Sequence, residues 1–285
     1  MRQVILLSCL LTALQGLASA QGTPSALTMF FKQRLAEPPD AIPPSYDSLW
    51  KVTSGIADSS ANEVSAALPY IFEALKRDER DLSIQAELPL FAIGRRPDGG
   101  LLLGSKVDEI GALLDRSDER LSGGATGILR NIMPSRSDIV VPLIINHLQV
   151  AAKPRLVEVE LAAMLLDFRK GDPQAMKTID DFLSKGATPE VTVATLKMLG
   201  AHHAGSTPGI NAFSLRALGD SNKYVKIAAI YTVHSLGSTT WDQAQPALSK
   251  LASDAAEDKD VKAIANKALT DDLSKSPRQI ITPAQ

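Results

Sequence analysis

Histidines, a serine–lysine pair and a glycine-rich segment are where reactive chemistry would have to start. His147, His202, His203 and His234 include no two at the three- or four-residue spacing that lines ligands up on a helix. The adjacent pair His202 and His203 points in different directions, so a metal site would have to be assembled from separate segments. Ser48-Leu49-Trp50-Lys51 sets a hydroxyl and a lysine one helical turn apart, the spacing of a lysine-activated serine nucleophile. The Ser-Asp-Asn and Lys-Thr-Gly motifs that complete such a site are absent, so coincidence explains the spacing better. GGLLLGSK, Gly99 to Lys106, has the glycines of a phosphate-binding loop but places serine before lysine, the reverse of the order that motif needs.

Gly-x-Ser-x-Gly, His-Glu-x-x-His and the glycine-rich dinucleotide fingerprint do not occur. The acidic groups Asp78/Glu79/Asp81, Asp180/Asp181 and Asp271/Asp272 fall at expected helix ends, where a carboxylate caps or favours the positive end of a helix dipole. They read as caps and solvated faces. The residues therefore designate no catalytic group, no metal ligand set and no cofactor.

The elements that would carry any site are ordinary in composition: 285 residues, 45% hydrophobic and 22% charged, enough apolar content for a sizeable core. A net charge of −2 lacks the bulk electrostatic footprint of a nucleic-acid binder. Residues 1–20, MRQVILLSCLLTALQGLASA, place one arginine before the apolar run Val4–Leu14 and end in Ala18-Ser19-Ala20, the layout of a secretory signal peptide cut after Ala20. The run is too short to span a bilayer, so the expected product is an exported protein, periplasmic or extracellular, beginning at Gln21. Cys9 after Leu6-Leu7-Ser8 offers an alternative lipid-attachment box, with little apolar sequence ahead of it. As Cys9 is the only cysteine, the mature chain must be held by packing rather than by disulfides.

That packing is visible as a period. In DSNKYVKIAAIYTVHSLG, residues 220–237, Val225, Ala229 and Val233 share one helix face, Asp220 or Asn222 can cap the start, and Gly237 can end it. The same offsets recur at Leu82/Ala86/Leu90, Leu121/Ala125/Leu129, Val157/Leu161/Leu165, Val191/Thr195/Leu199 and Val261/Ala265/Leu269, with first positions 39, 36, 34, 34 and 36 residues apart. A second amphipathic stretch precedes each: Asn62 to Arg77, Lys106 to Asp115, Asp138 to Val150, Pro173 to Lys185, Pro208 to Leu218 and Trp241 to Ser253. Six helical hairpins are expected over residues 61–273. Ahead of them, Thr23 and Pro24 start a capping helix with Leu27, Phe30, Phe31 and Leu35 on one face, and Glu37 to Pro44 is stiff linker. Ser48 to Ala57, with Trp50, begins the packed body; Leu101 to Leu103 form a short strand or extend the next helix; residues 274–285 are a flexible tail.

Asp220, Val225-Lys226, Ala228-Ala229 and Leu236-Gly237, together with Val261-Lys262-Ala263-Ile264-Ala265, resemble the second helix of HEAT-like repeats. The match is closest over residues 187–270. It departs from the family pattern at Lys226, Lys262 and Glu158, where that pattern has arginine. The resemblance implies an all-α, right-handed superhelix of about six hairpins whose second helices line a concave face that holds a partner protein. On that face would stand Lys223, Tyr224, Lys226, Tyr231, Lys262, Lys267, Glu190 and Lys197. Tyrosine beside lysine suits an acidic or extended partner, while the same residues could equally keep a helix face soluble and pack on the next repeat. An exported scaffold without catalysis of its own is the leading expectation. The alternative is an enzyme or small-ligand or envelope-polymer binder using the same groove, since some HEAT-like proteins are lyases that attach bilins.

Overall fold

The computed structural model describes residues 25–38, 46–77, 80–202 and 207–270, and these contain fourteen α-helices and no strand. The chain divides into two compact units after Ser137. The first holds α1 (Ala26–Ala36), α2 (Tyr46–Ser54), a 3-10 turn (Gly55–Ala57), α3 (Ala61–Lys76), α4 (Arg80–Gly94), α5 (Gly99–Gly104), α6 (Val107–Gly111), a second 3-10 turn (Ala112–Asp115) and the front of α7 (Glu119–Val150). The second holds the rear of α7, then α8 (Leu156–Arg169), α9 (Pro173–Leu183), α10 (Pro189–Ala201), α11 (Pro208–Ala217), α12 (Lys223–Ser235), α13 (Ser238–Ser253) and α14 (Lys259–Leu269). The expected signal peptide, Thr23-Pro24, most of the Pro-rich linker, Asp78, Glu79, His203, Asp271/Asp272 and the expected tail lie outside the described residues.

The hairpin pattern holds because its spacing selects what is buried. Every residue of the six triplets is buried except Leu269, which ends the last described helix and is 36% exposed. A fully buried valine or leucine contributes about 1.5–3 kcal/mol, so this stripe is a main source of cohesion in each unit. Thr195, the one polar member, donates its hydroxyl to the Val191 carbonyl 2.8 Å away and so enters the core satisfied.

Local chemistry fixes the helix starts. Asp172, Thr188, Thr207 and Asn222 each accept a backbone N–H of the first turn through their side chains, and proline occupies the first position of α9, α10 and α11, where its missing donor costs nothing. Of the two candidate caps for α12, Asn222 does the capping, while Asp220 accepts from the Asn222 amide at 2.7 Å. Gly237 sits at φ +101 and separates α12 from α13, a conformation in which a Cβ would be strained.

In the second unit the second helices α8, α10, α12 and α14 pack in succession, and the first helices α9, α11 and α13 do likewise, which makes a two-layer repeat array. Side chains stitch the layers. Thr232 of α12 donates to the Leu196 carbonyl of α10 at 2.9 Å, and Thr240 of α13 donates to Asn211 of α11 at 2.6 Å. A cation from one repeat also closes the carbonyl end of the helix before it. Lys185 Nζ donates to the carbonyls of Leu148, Gln149 and Ala151 at 2.7, 3.0 and 2.6 Å, and Arg216 donates to Leu183 at 3.3 Å. In the first unit Arg96 plays this part on Ile56 and, at 2.8 Å, on Ser59.

Three expectations change. Trp50 does not enter the packed body: it is 58% exposed, and Leu49 and Ile56 are the buried residues of its segment. Leu101 to Leu103 form neither a strand nor an extension of the next helix but the separate short helix α5. The second helix of the second hairpin and the first helix of the third run on as α7, broken only by the non-helical Arg136 (φ −133, ψ 40) two residues after Pro134. The glycines of GGLLLGSK are there for proximity: a Cβ on Gly99 would strike the carbonyl oxygens of Ile93 and Gly94, and one on Gly100 or Gly104 would strike Ser135 or Arg136.

Candidate functional site

The second-helix layer of the second unit carries all eight residues expected on the partner face. α12 presents Tyr224, 39% exposed and the largest exposed ring of that helix, directly behind the Asn222 cap. Lys223 Nζ lies 5.4 Å from the Tyr224 ring centre and 3.5 Å from both Asp258 and Asp260. Asp258 is the chief reason that the Lys223 ammonium holds its proton more strongly than usual. Lys226 Nζ meets Glu257 at 2.5 Å, with the two side chains only 15% and 11% exposed. That contact holds the Glu257 carboxyl below its ordinary range. The acidic segment that enters α14 thus clamps the lysine face of α12.

The structure brings Lys223, Tyr224 and Lys226 together in this cluster. Tyr231, Lys197 and Lys262 are half-buried, and Glu190 and Lys267 are exposed on their own helices. The repeat period puts Lys197, Tyr231 and Lys267 in one register and Glu190, Tyr224 and Asp260 in another. Lys226, which stands where the resembled repeat pattern has arginine, pairs with Glu257 just ahead of α14. One repeat earlier His202, at the end of α10, meets Asp167 of α8 at 2.5 Å.

The other chemistry-bearing residues are dispersed. Ser48 and Lys51 are both exposed on α2. His234 packs edge-on against Trp241, ring centres 5.5 Å apart. Asp180 accepts the Thr207 hydroxyl at the start of α11, and Asp181 pairs with Lys177 at 2.6 Å. Among the described residues no group of three or more His, Cys, Asp or Glu side chains could hold a metal ion.

Two shielded carboxylates stand apart: Glu158, which the sequence marked only as a departure from arginine, is buried, and Glu87, which the sequence did not single out, is half-buried. Glu158, at 1% exposure, accepts from His147 Nε2 and Arg155 Nη2, both at 2.9 Å, and from the Arg155 backbone amide at 2.7 Å. Burial pushes its pKa up, but those three donors outweigh burial and hold the carboxyl at about 2. Glu87 on α4 is the opposite case. Its Oε1 is buried with no hydrogen-bond partner, and desolvation pushes its pKa up to about 8. The signal for Glu158 was its place in an arginine register, and that for Glu87 its place in a register filled elsewhere by the uncharged Thr126, Ala162, Leu196, Ile230 and Asn266.

No protein-family model matches the chain, and no curated protein matches it. Similar solved structures include computationally designed armadillo repeat proteins for modular peptide recognition, at 13% identity and TM-score 0.38 over 87% of this chain and 99% of that one. A designed armadillo repeat protein in complex with the peptide (KR)4 shares 15% identity at TM-score 0.33, covering 85% of this chain and 98% of that one. An engineered protein from a structural genomics consortium shares 17% identity at TM-score 0.44, covering 90% of this chain and 70% of that one. Peptide recognition is a property of those designed proteins.

Proposed function

We propose that the chain is an exported protein-binding scaffold, and that the second-helix layer of its second unit receives an extended segment of a partner protein. The observation that carries this reading is Tyr224, an exposed ring kept in place by Lys223, which is itself fixed by Asp258 and Asp260. A large aromatic surface ordered before binding loses little conformational freedom on contact, the property of an interface anchor. Tyr231, Lys197, Lys262, Lys267 and Glu190 extend the surface along neighbouring helices, while Lys223 and Lys226, already paired, hold its shape. Tyrosine area, rather than raw positive charge, supplies most of the recognition.

The test is crosslinking mass spectrometry on the tagged protein in its own exporting cell, with N-terminal sequencing to locate cleavage after Ala20. Links from Lys197, Lys262 or Lys267 to one recurrent protein are expected. Tyr224→Ala with Tyr231→Ala should weaken capture roughly tenfold or more while leaving the melting temperature within a few degrees. Capture unchanged by the double substitution would remove this surface from the interface, and retention of residues 1–20 would remove export.

A further inference from the structure

The joint between α4 and α7 in the first unit is built around a carboxyl group, the one ionisable side chain in its repeat register. Glu87 lies five residues after Leu82; of the corresponding residues, Thr126, Ala162, Leu196 and Ile230 are buried and Asn266, in the last helix, is exposed. The carboxyl is laid over Gly124 so closely that a Cβ on that glycine would collide with both of its oxygens. One turn further on, the Phe91 ring covers Gly127 in the same way, its edge 2.8 Å from where a Cβ would be, and Asn131 donates to the Phe91 carbonyl at 3.3 Å. Bare helix backbone on α7 therefore receives the α4 side chains, and Glu87 Oε1 is sealed there without a donor.

We propose that Glu87 is a protonation-sensitive wedge: as the neutral acid it lets the α4–α7 joint close, and loss of its proton favours local opening of that joint, where water can reach the carboxylate. Glu87 is half-buried with its Oε1 buried and without a donor, so the carboxylate carries a desolvation cost that the neutral acid largely escapes. The charged groups that act on it stand at the entrance to α7, where Arg120 favours ionisation and Asp118 opposes it. On α4, Asp81 is exposed and Arg95 lies over the Phe91 ring at 4.4 Å. From α3, Lys76 is turned to Glu109, and from the corner between α4 and α5, Arg96 is turned to Asp98, both at 2.8 Å.

The direction of the effect is fixed. The closed joint keeps its proton until about pH 8, whereas an opened, hydrated Glu87 releases it near 4.5, so opening becomes easier as pH rises between those values and no easier beyond them. All four histidines of the chain lie at position 147 or later, so residues 1–137 contain no side chain whose ordinary pKa falls inside that window. A transition there in this unit belongs to Glu87.

Hydrogen exchange followed by mass spectrometry on the full chain, corrected for the base-catalysed intrinsic rate, tests the proposal in wild type, Glu87→Gln and Glu87→Leu. Protection of amides over residues 121–131 should fall in wild type by roughly tenfold or more between about pH 5 and pH 8, then level off. Both variants should show no such fall, and amides of α12 should serve as an unchanging control. A flat wild-type profile, or the same fall in Glu87→Gln, would overturn the proposal. If glutamine folds poorly at the sealed position, leucine, which suits an apolar register, decides the matter alone.

Discussion

Replacing Glu158 by glutamine keeps the side-chain shape but removes the charge that His147 and Arg155 serve. In the folded state the carboxyl titrates at about 2, against 4.5 for a free side chain, so its contribution is present above 4.5 and disappears as pH falls from 4.5 toward 2. That displacement corresponds to at most about 3 kcal/mol, and to roughly 2 kcal/mol once the solvent around Arg155 is allowed for. For a unit of this size, about 2 kcal/mol lowers the melting temperature by roughly 4–8 °C. Thermal melts of wild type and Glu158→Gln across the acid range should show that gap at neutral pH, its narrowing below pH 4.5 and its near-closure at about pH 2, where the folded carboxyl is half protonated. A gap of the same size at neutral and acid pH would mean that the glutamine merely packs badly, and the electrostatic reasoning would fail.

Other substitutions probe separate links. A double-mutant cycle on Lys226→Ala and Glu257→Ala should give a coupling of about 1 kcal/mol in urea melts, above a surface pair because both groups are largely covered. Gly99→Ala should cost about 2 kcal/mol or more, since backbone carbonyls cannot step aside, while Gly123→Ala, with nothing within 4 Å of the new carbon, should stabilise by roughly 0.5–1 kcal/mol. Lys185→Met keeps the aliphatic stem but strips three carbonyls of their donor, and should cost about 1–2 kcal/mol and raise amide exchange at residues 145–151.

The helices were legible because burial in a repeat array is periodic, and Val225, Ala229 and Val233 announce their neighbours five times over. Caps were legible where one residue type has one use, as with Thr188-Pro189 and Thr207-Pro208. The continuity of α7 was not: Pro134 suggests a stop, and only packing of Ser135 and Arg136 on the α5 glycines decides how the chain passes it. At the candidate site, sequence placed Lys223, Tyr224 and Lys226 on one helix but could not show that Glu257, Asp258 and Asp260, about one repeat later, return to neutralise the lysines. Glu87 and Glu158 are both glutamates in second helices of the repeat pattern. Their opposite titration follows from what faces them, a bare glycine in one case and three donors in the other, and such facing lies between repeats rather than within them.

The lysine that closes the rear of α7 gives the array a direction in time. Leu148 and Ala151 leave the ribosome before Lys185, which follows them by 37 and 34 residues. At the usual pace of synthesis, about 5–20 residues per second, those carbonyls wait roughly 2–7 s for their donor. Arg216 then does for α9 what Lys185 did for α7. Both helices are thus finished by the hairpin that follows, so a nascent chain halted before Lys185 leaves the rear of α7 unfinished, and one halted before Arg216 leaves α9 so.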